Sequence, residues 1–279
     1  MSLIINADDL GYSDQRDEGI FDAFQHNAIS AASLMVNGPT AASAAKKAEE
    51  LGLYLSLHLN LTEGLSLSGP CNITDKDNKM FYKYDFWNLI SGDAKMYASS
   101  IAQETRAQIE TFKELTGVLP THIDGHHHVH IFPGMPDILA PIFQEYGVNS
   151  TRIPDEDISN YEWLDPVRKK RYESRFPTCM RARVVYRSYD IRAPECFVGL
   201  ALMGHDMTNG RFFETIVGAF GTIEWMVHPG IVVPKKPVST FFSDSFDTDP
   251  AREHELNTLK TVKHSLKLTD WSYYDDFNK

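Results

Sequence analysis

The chain has 279 residues, 42% hydrophobic and 23% charged, a composition able to bury a full globular core. Its formal net charge of −11 argues against nucleic acid or an anionic membrane as the main partner. No segment approaches the roughly 20 apolar residues of a membrane span, and the first apolar run is too short for a signal peptide. Three cysteines (Cys71, Cys179, Cys196), far apart and without a Cys-x-x-Cys pair, fit a reducing cytoplasm and make cysteine ligation a poor expectation.

The first element is Leu3-Ile4-Ile5-Asn6-Ala7-Asp8-Asp9-Leu10-Gly11, a short buried strand ending in two acids and a glycine. Adjacent carboxylates are tolerated on a solvated turn or beside a cation. The alternative is a capping turn for the helix that follows, Asp14 to Asn27, with Ile20, Phe21 and Phe24 at helical spacing. Ser33 to Asn37 reads as a strand, and an alanine-rich helix from about Thr40 to Leu51 is closed by Gly52. From Leu53 to Thr62 leucine takes every odd position, the mark of a strand with two unlike faces. The polar face offers Tyr54, Ser56, His58, Asn60 and Thr62; in a barrel, His58 and Asn60 would look into its mouth.

A long helix is expected from about Ser99 to Gly117, with Ile101, Ile109, Phe112 and Leu115 on one face. Thr121 to Asp124 is a strand running into His126-His127-His128-Val129-His130. Together with His122 this places five of the chain's eleven histidines within nine residues. Buried imidazoles need partners, so such crowding suits metal ligation; a solvated polar loop is the plainer alternative. Pro136 starts a helix over Met135 to Tyr146. Val148 to Ile153, Cys196 to Met203 and Ile223 to Val227 read as strands, with a helix near Thr208 to Ala219. Pro250 opens a final helix reaching about Leu266, and Trp271 to Tyr274 reads as a last strand.

Repeated strand–helix units predict an α/β single domain, an irregular (β/α) TIM-like barrel rather than an open sheet. No Gly-x-Gly-x-x-Gly or phosphate-loop string supports a nucleotide site. Loops are inserted at about 63–96 and 154–195. The first holds Phe81, Tyr82, Tyr84, Phe86 and Trp87, which offer either a platform for sugar rings or a satellite cluster under a long loop. The second concentrates arginine and lysine, read most simply as a solvated helix face or a subunit contact rather than an anion site.

Three strings together, Asn6-Ala7-Asp8-Asp9-Leu10-Gly11, Leu57-His58-Leu59-Asn60-Leu61-Thr62 and Thr121 to His130 followed by Phe132-Pro133, resemble the YdjC-like family, which includes chitooligosaccharide deacetylases. Val36-Asn37-Gly38 and His228-Pro229-Gly230 also match. The resemblance runs to about residue 230. It implies an irregular (β/α) barrel, often a homodimer, with one divalent metal held by an aspartate and two histidines. By position these are Asp9, His58 and His126, with His130 in support or against substrate.

An oxygen and two imidazoles leave coordination positions open, as in catalytic sites. The set suits Mg2+ or Zn2+, with Mn2+, Co2+ or Ni2+ also compatible. Asp8 is placed to take a proton from water, and His228 or a member of the 126–130 cluster to protonate a departing amine. The expected activity is metal-dependent deacetylation of N-acetylated sugars, short chitooligosaccharides or their phosphorylated forms. Asn60, His130, Phe81, Tyr82 and Trp87 are the candidate substrate contacts. The alternatives are a barrel metallo-phosphoesterase, which would want more metal ligands, and a non-catalytic sugar- or metal-sensing protein.

Overall fold

Residues 1–232, 249–262 and 266–278 are described by the structure, a computed structural model. In chain order it forms β1 (Ser2–Leu10), α1 (Asp14–Gln25), β2 (Ala31–Leu34), α2 (Ala41–Leu51), β3 (Tyr54–Leu59), α3 (Lys83–Ser91), α4 (Ala98–Thr116) and β4 (His122–Gly125). Then follow α5 (Met135–Glu145), β5 (Ser150–Thr151), α6 (Pro166–Glu173), α7 (Phe176–Arg187), β6 (Cys196–Val198), α8 (Asn209–Thr215), β7 (Thr222–Val227), α9 (Ala251–Leu259) and β8 (Lys267–Leu268). No helix among the described residues is long and apolar enough to cross a membrane.

The strands are parallel, in the order β5-β4-β3-β2-β1-β7-β6, with β8 on the first residues of β1. In a flat sheet β5 and β7 would stand five strand spacings apart, roughly 24 Å. Instead Arg152, next after β5, donates through Nε to Glu224 of β7 at 2.5 Å. The sheet is therefore curled into a half-barrel with its helices outside. Among the described residues β5 and β6 do not pair, and the outer edge of β5 meets only Arg192, so a closed barrel is not reached.

Both helix stops at glycine hold, with Gly52 and Gly117 in left-handed caps. Several expectations need correction. The second strand lies earlier, at Ala31–Leu34, because it pairs with Asn6 and Ala7 of β1 and with Tyr54 of β3. The 63–96 segment is no irregular loop: it contains α3, whose Phe86 and Ile90 are buried in the core. The 154–195 segment holds α6 and α7. Trp271 to Tyr274 is not a strand. It lies in a 3-10 helix, Trp271–Asn278, and packs with Ile4 and Ala31 against the amino ends of the strands. The last helix ends at Leu259; part of its expected extension, 263–265, lies outside the described residues.

The turn carrying His228 is fixed by backbone contact. Gly230 N donates to Arg252 O at 3.2 Å and Ile231 N to Gln15 O at 3.1 Å. A Cβ on Gly19 of α1 would stand 2.4 Å from Gly230 Cα. Gly19→Ala must push the turn away, and overpacking of this kind costs about 1–3 kcal/mol. Denaturant unfolding of this variant should show that loss with the slope unchanged.

Candidate metal centre and active site

The first three ligand-bearing strings meet at the carboxyl ends of β1, β3 and β4. The register of β1 against β2 slips between Ala7 and Leu10, and Asp9 adopts a positive φ of 68°. Strict alternation would send the two acids to opposite faces; the irregularity lets both line one cavity. That cavity, about 300 Å³, is lined by Asp8, Asp9, His58, His126 and His228 together with Tyr82, Lys83, Arg171, Tyr172 and Arg175.

Asp9, His58 and His126 bring one donor atom each to within 4.8 Å of one another. His58 Nδ1 meets Asp124 Oδ1 at 2.7 Å, so its Nε2 is turned toward Asp9 Oδ1, 3.2 Å away. His126 Nε2 meets Glu63 Oε2 at 2.9 Å, leaving Nδ1 at 2.8 Å from the same Asp9 oxygen. Each ring is thus held by a carboxylate on its far nitrogen, the arrangement that orients histidine ligands. Asp9 Oδ1 is buried and receives no hydrogen bond of acceptable geometry despite those short approaches. Three donor atoms crowd where a shared cation would satisfy them, and the residues fit a divalent metal. Burial favours the neutral form of Asp9, but Arg16 and His126 hold its carboxyl well below the usual range. Burial also opposes charge on His58, yet Asp124 and Asp8 outweigh it and push the ring up to about 10.

Asp8 is held differently. Arg152 grips both its oxygens, NH1 to Oδ2 at 2.5 Å and NH2 to Oδ1 at 2.7 Å, while Asn6 Nδ2 donates to Oδ1 at 2.8 Å. Oδ2 faces His228, whose Nε2 is 3.9 Å away and 4.0 Å from Asp9 Oδ2. Burial pushes the His228 imidazole down to about 3, against the pull of Asp8 and Asp9. Arg152 also contacts Asp124 Oδ2 at 2.9 Å. Burial would raise the Asp124 carboxyl, but Arg152 and His58 keep it well below its ordinary value.

Of the five expected substrate contacts, only Tyr82, beside Lys83 at the start of α3, lines the cavity. Asn60 is wholly buried and folds the turn after β3: its Oδ1 accepts from Thr62 N and Glu63 N, which positions Glu63. His130 is also fully buried; its Nε2 meets Arg152 O at 2.8 Å, and its ring occupies the space a Cβ on Gly125 would need. Phe81 packs against the core, and Trp87 stacks on Phe132 with ring centres 5.5 Å apart. In the same segment Phe86 and Ile90 are buried, whereas Tyr82 and Tyr84 are exposed. The basic 154–195 segment does more than cover a surface, since Arg171 and Arg175 reach the cavity. Sequence reasoning gave no role to Glu63, Asp124, Arg16 or Arg152; carboxylates near histidines were the available signal for the first two.

Fold and site together define a parallel α/β half-barrel with an aspartate–histidine–histidine centre at the carboxyl ends of its strands. The family model described as YdjC-like protein matches residues 2–268, and the chain belongs to that family. Among curated relatives, the carbohydrate deacetylase of Homo sapiens is 34% identical, the alignment covering 93% of this chain and 84% of that protein. The carbohydrate deacetylase of Xenopus laevis is 30% identical over 94% of this chain and 92% of its own. A chitooligosaccharide deacetylase of an Enterobacter species is 35% identical over 52% of this chain and 57% of its own length. A solved structure from Enterococcus faecalis, described as a cellobiose-phosphate cleavage protein, superposes with a TM-score of 0.72 at 19% identity, covering 99% and 98% of the two chains. It shares the fold.

Removing the central cation should be severe. Arg152→Leu would leave Asp8, Asp124 and Glu224 buried without their partner, and breaking a buried charge pair from one side costs about 3–5 kcal/mol. Chemical denaturation of purified Arg152→Leu should show a loss of that size, or the variant should fail to accumulate as folded protein.

Proposed function

We propose that this protein is a metal-dependent carbohydrate deacetylase that hydrolyses the acetamide of N-acetylated sugars. The observation that carries the reading is the Asp9–His58–His126 centre, with an independently clamped carboxylate, Asp8, beside it. The names of the curated relatives point the same way. A bound divalent ion would polarise the acetamide carbonyl and make the attacking water more acidic. The donor set accepts zinc, magnesium, manganese, cobalt or nickel.

The chain's own residues do the rest. Asp8 Oδ2 takes the proton from water as its oxygen bonds to the acetyl carbon. When the carbon–nitrogen bond breaks, the amine needs a proton, because an amide nitrogen leaves poorly as an anion. His228 is neutral at rest and serves the amine only with a proton received within the cycle, from Asp8 at 3.9 Å. Tyr82 and Tyr172 line the cavity and supply aromatic surface beside the sugar.

The cavity suits a short sugar, being near the lower end of the roughly 300–1,000 Å³ of small-ligand sites. Lys83, Arg171 and Arg175 line it in a chain of net charge −11, and three cations at the rim favour a phosphorylated chitooligosaccharide. The same cations keep a phosphoesterase reading in play, and the product separates the two. N,N′-diacetylchitobiose and its 6-phosphate should each release acetate and no inorganic phosphate; phosphate release in place of acetate sinks the deacetylase reading.

His58→Ala and His126→Ala should fold yet lose most bound metal by elemental analysis. Asp8→Asn should keep its metal while kcat falls about 10²–10⁴-fold, the scale of a lost acid–base group. Metal loss in Asp8→Asn would reverse the roles of the two aspartates. A separate measurement tests the rim. Arg171→Ala combined with Arg175→Ala should raise KM for the phosphorylated disaccharide at least about tenfold and leave the unphosphorylated one within about twofold. Equal effects on both would make the arginines general wall residues.

A further inference from the structure

The mechanism makes no use of the 3-10 helix at the far end of the half-barrel, yet one of its side chains reaches the network around Asp8. Trp271 is wholly buried among Ile4, Ala31 and Tyr274, and its ring stacks on His122 with centres 3.4 Å apart. Packing and stacking would hold any flat aromatic there. The indole N–H does something further: it donates to Asn6 Oδ1 at 2.9 Å.

That bond decides which way the Asn6 amide faces. With the carbonyl end occupied by Trp271, the NH2 end donates to Asp8 Oδ1 at 2.8 Å and to Ser33 Oγ at 2.7 Å. Ser33 in turn donates to Asp124 Oδ2 at 2.7 Å, so its oxygen is the acceptor toward Asn6. The donors run in one direction, from Trp271 through Asn6 to both buried carboxylates. Asn6, Ser33 and Trp271 are fully buried, so the alternative to each bond is an unsatisfied polar group. Without the indole donor, a half-turn of the amide would set its carbonyl oxygen against the Asp8 carboxylate.

We infer that Trp271 is a positioning residue: through the Asn6 amide it fixes the orientation of Asp8, and so links the carboxyl-terminal segment to turnover. The inference rests on Asp8 acting as the base proposed above. Its signature is a loss confined to kcat, since neither Trp271 nor Asn6 lines the cavity.

The experiment is a double-mutant cycle with acetate release from N,N′-diacetylchitobiose as the rate. Trp271→Phe keeps the stacking and removes the donor; kcat should fall about 10- to 100-fold with KM within about twofold and metal content unchanged. Asn6→Ala should show a similar loss, and the double variant should lose no more than Asn6→Ala alone. Should Trp271→Phe fail to fold, benzothienylalanine at position 271 keeps the fused ring and replaces N–H by sulfur. The Asn6 side-chain amide resonances, observed by selective labelling, should shift in either variant at position 271. Wild-type kcat without the indole donor, additive losses in the cycle, or unmoved amide resonances each overturn the inference while the deacetylase reading stands. A wild type that releases no acetate overturns both.

Discussion

Arg152 leaves β5 where three other strands bring carboxylates into one buried interior, and its guanidinium is the charge that makes their meeting tolerable. Asp8 comes from β1, Asp124 from β4 and Glu224 from β7, and Arg152 bonds to all three while wholly buried itself. Two or three carboxylates in such a space repel strongly unless a cation lies between them. The curl of the sheet and the presence of this cation are therefore one problem with one solution. A flatter sheet would separate the acids and lose the site; a curled sheet without Arg152 would bury charges with no partner. Burial still pushes the Glu224 carboxyl up to about 8 despite the guanidinium. Of the three, Asp8 lines the cavity and Asp124 holds the His58 ring.

Around this centre the backbone departs from ordinary geometry where a donor must be aimed. Asp9, His127 and His128 all have positive φ, at 68°, 55° and 58°. For residues with side chains this costs of order 1–3 kcal/mol each, and such strain gathers at functional sites. At Asp9 the departure accompanies the slip in β1 that keeps two neighbouring carboxylates in one cavity. After β4 the two left-handed residues turn the chain so that His126 meets Asp9 while Val129 and His130 return to the core. Thr62 supports the turn, its hydroxyl lying 2.9 Å from His127 Nδ1. Rigid strands supply the positions and strained turns supply the directions.

The meeting of Asp9, His58 and His126 was legible because they lie in dense local strings at strand ends, where period-2 patterns stop. Arg152 was not, because a lone arginine after a weak strand carries no local pattern; its meaning comes from residues up to 144 positions away. Glu63 sat at the head of what read as a loop, although its contact with His126 spans 63 positions. Asn60 and His130 were read as contacts because polar residues beside ligands point at a site in one dimension. In three, the strand has ended before Asn60, and its amide closes a turn instead. Trp271 to Tyr274 has the aromatic content of a strand, but with β8 already paired to β1 it packs across strand ends. The curl was only half legible: alternating elements imply a parallel sheet, while closure depends on an edge that β5 gives to Arg192.

Apart from His58 and His126, whose neighbouring carboxylates raise them, the histidines around this centre share one physical condition. Burial pushes His127, His128, His130 and His228 all downward, to about 4 for His130 and about 3 for His228. A cation beside them would push further in the same direction. None of these four rings then carries a proton at neutral pH that it could give away. Asp8 is close to His228, and Arg152 keeps its carboxylate facing the cavity. In the deacetylation proposed above, the proton delivered to nitrogen would be the one taken from water, moved a few ångströms within the cavity. A cycle of that kind would draw no proton from solvent before the carbon–nitrogen bond breaks, so a buried imidazole 3.9 Å from Asp8 is compatible with the proposed role in the reaction.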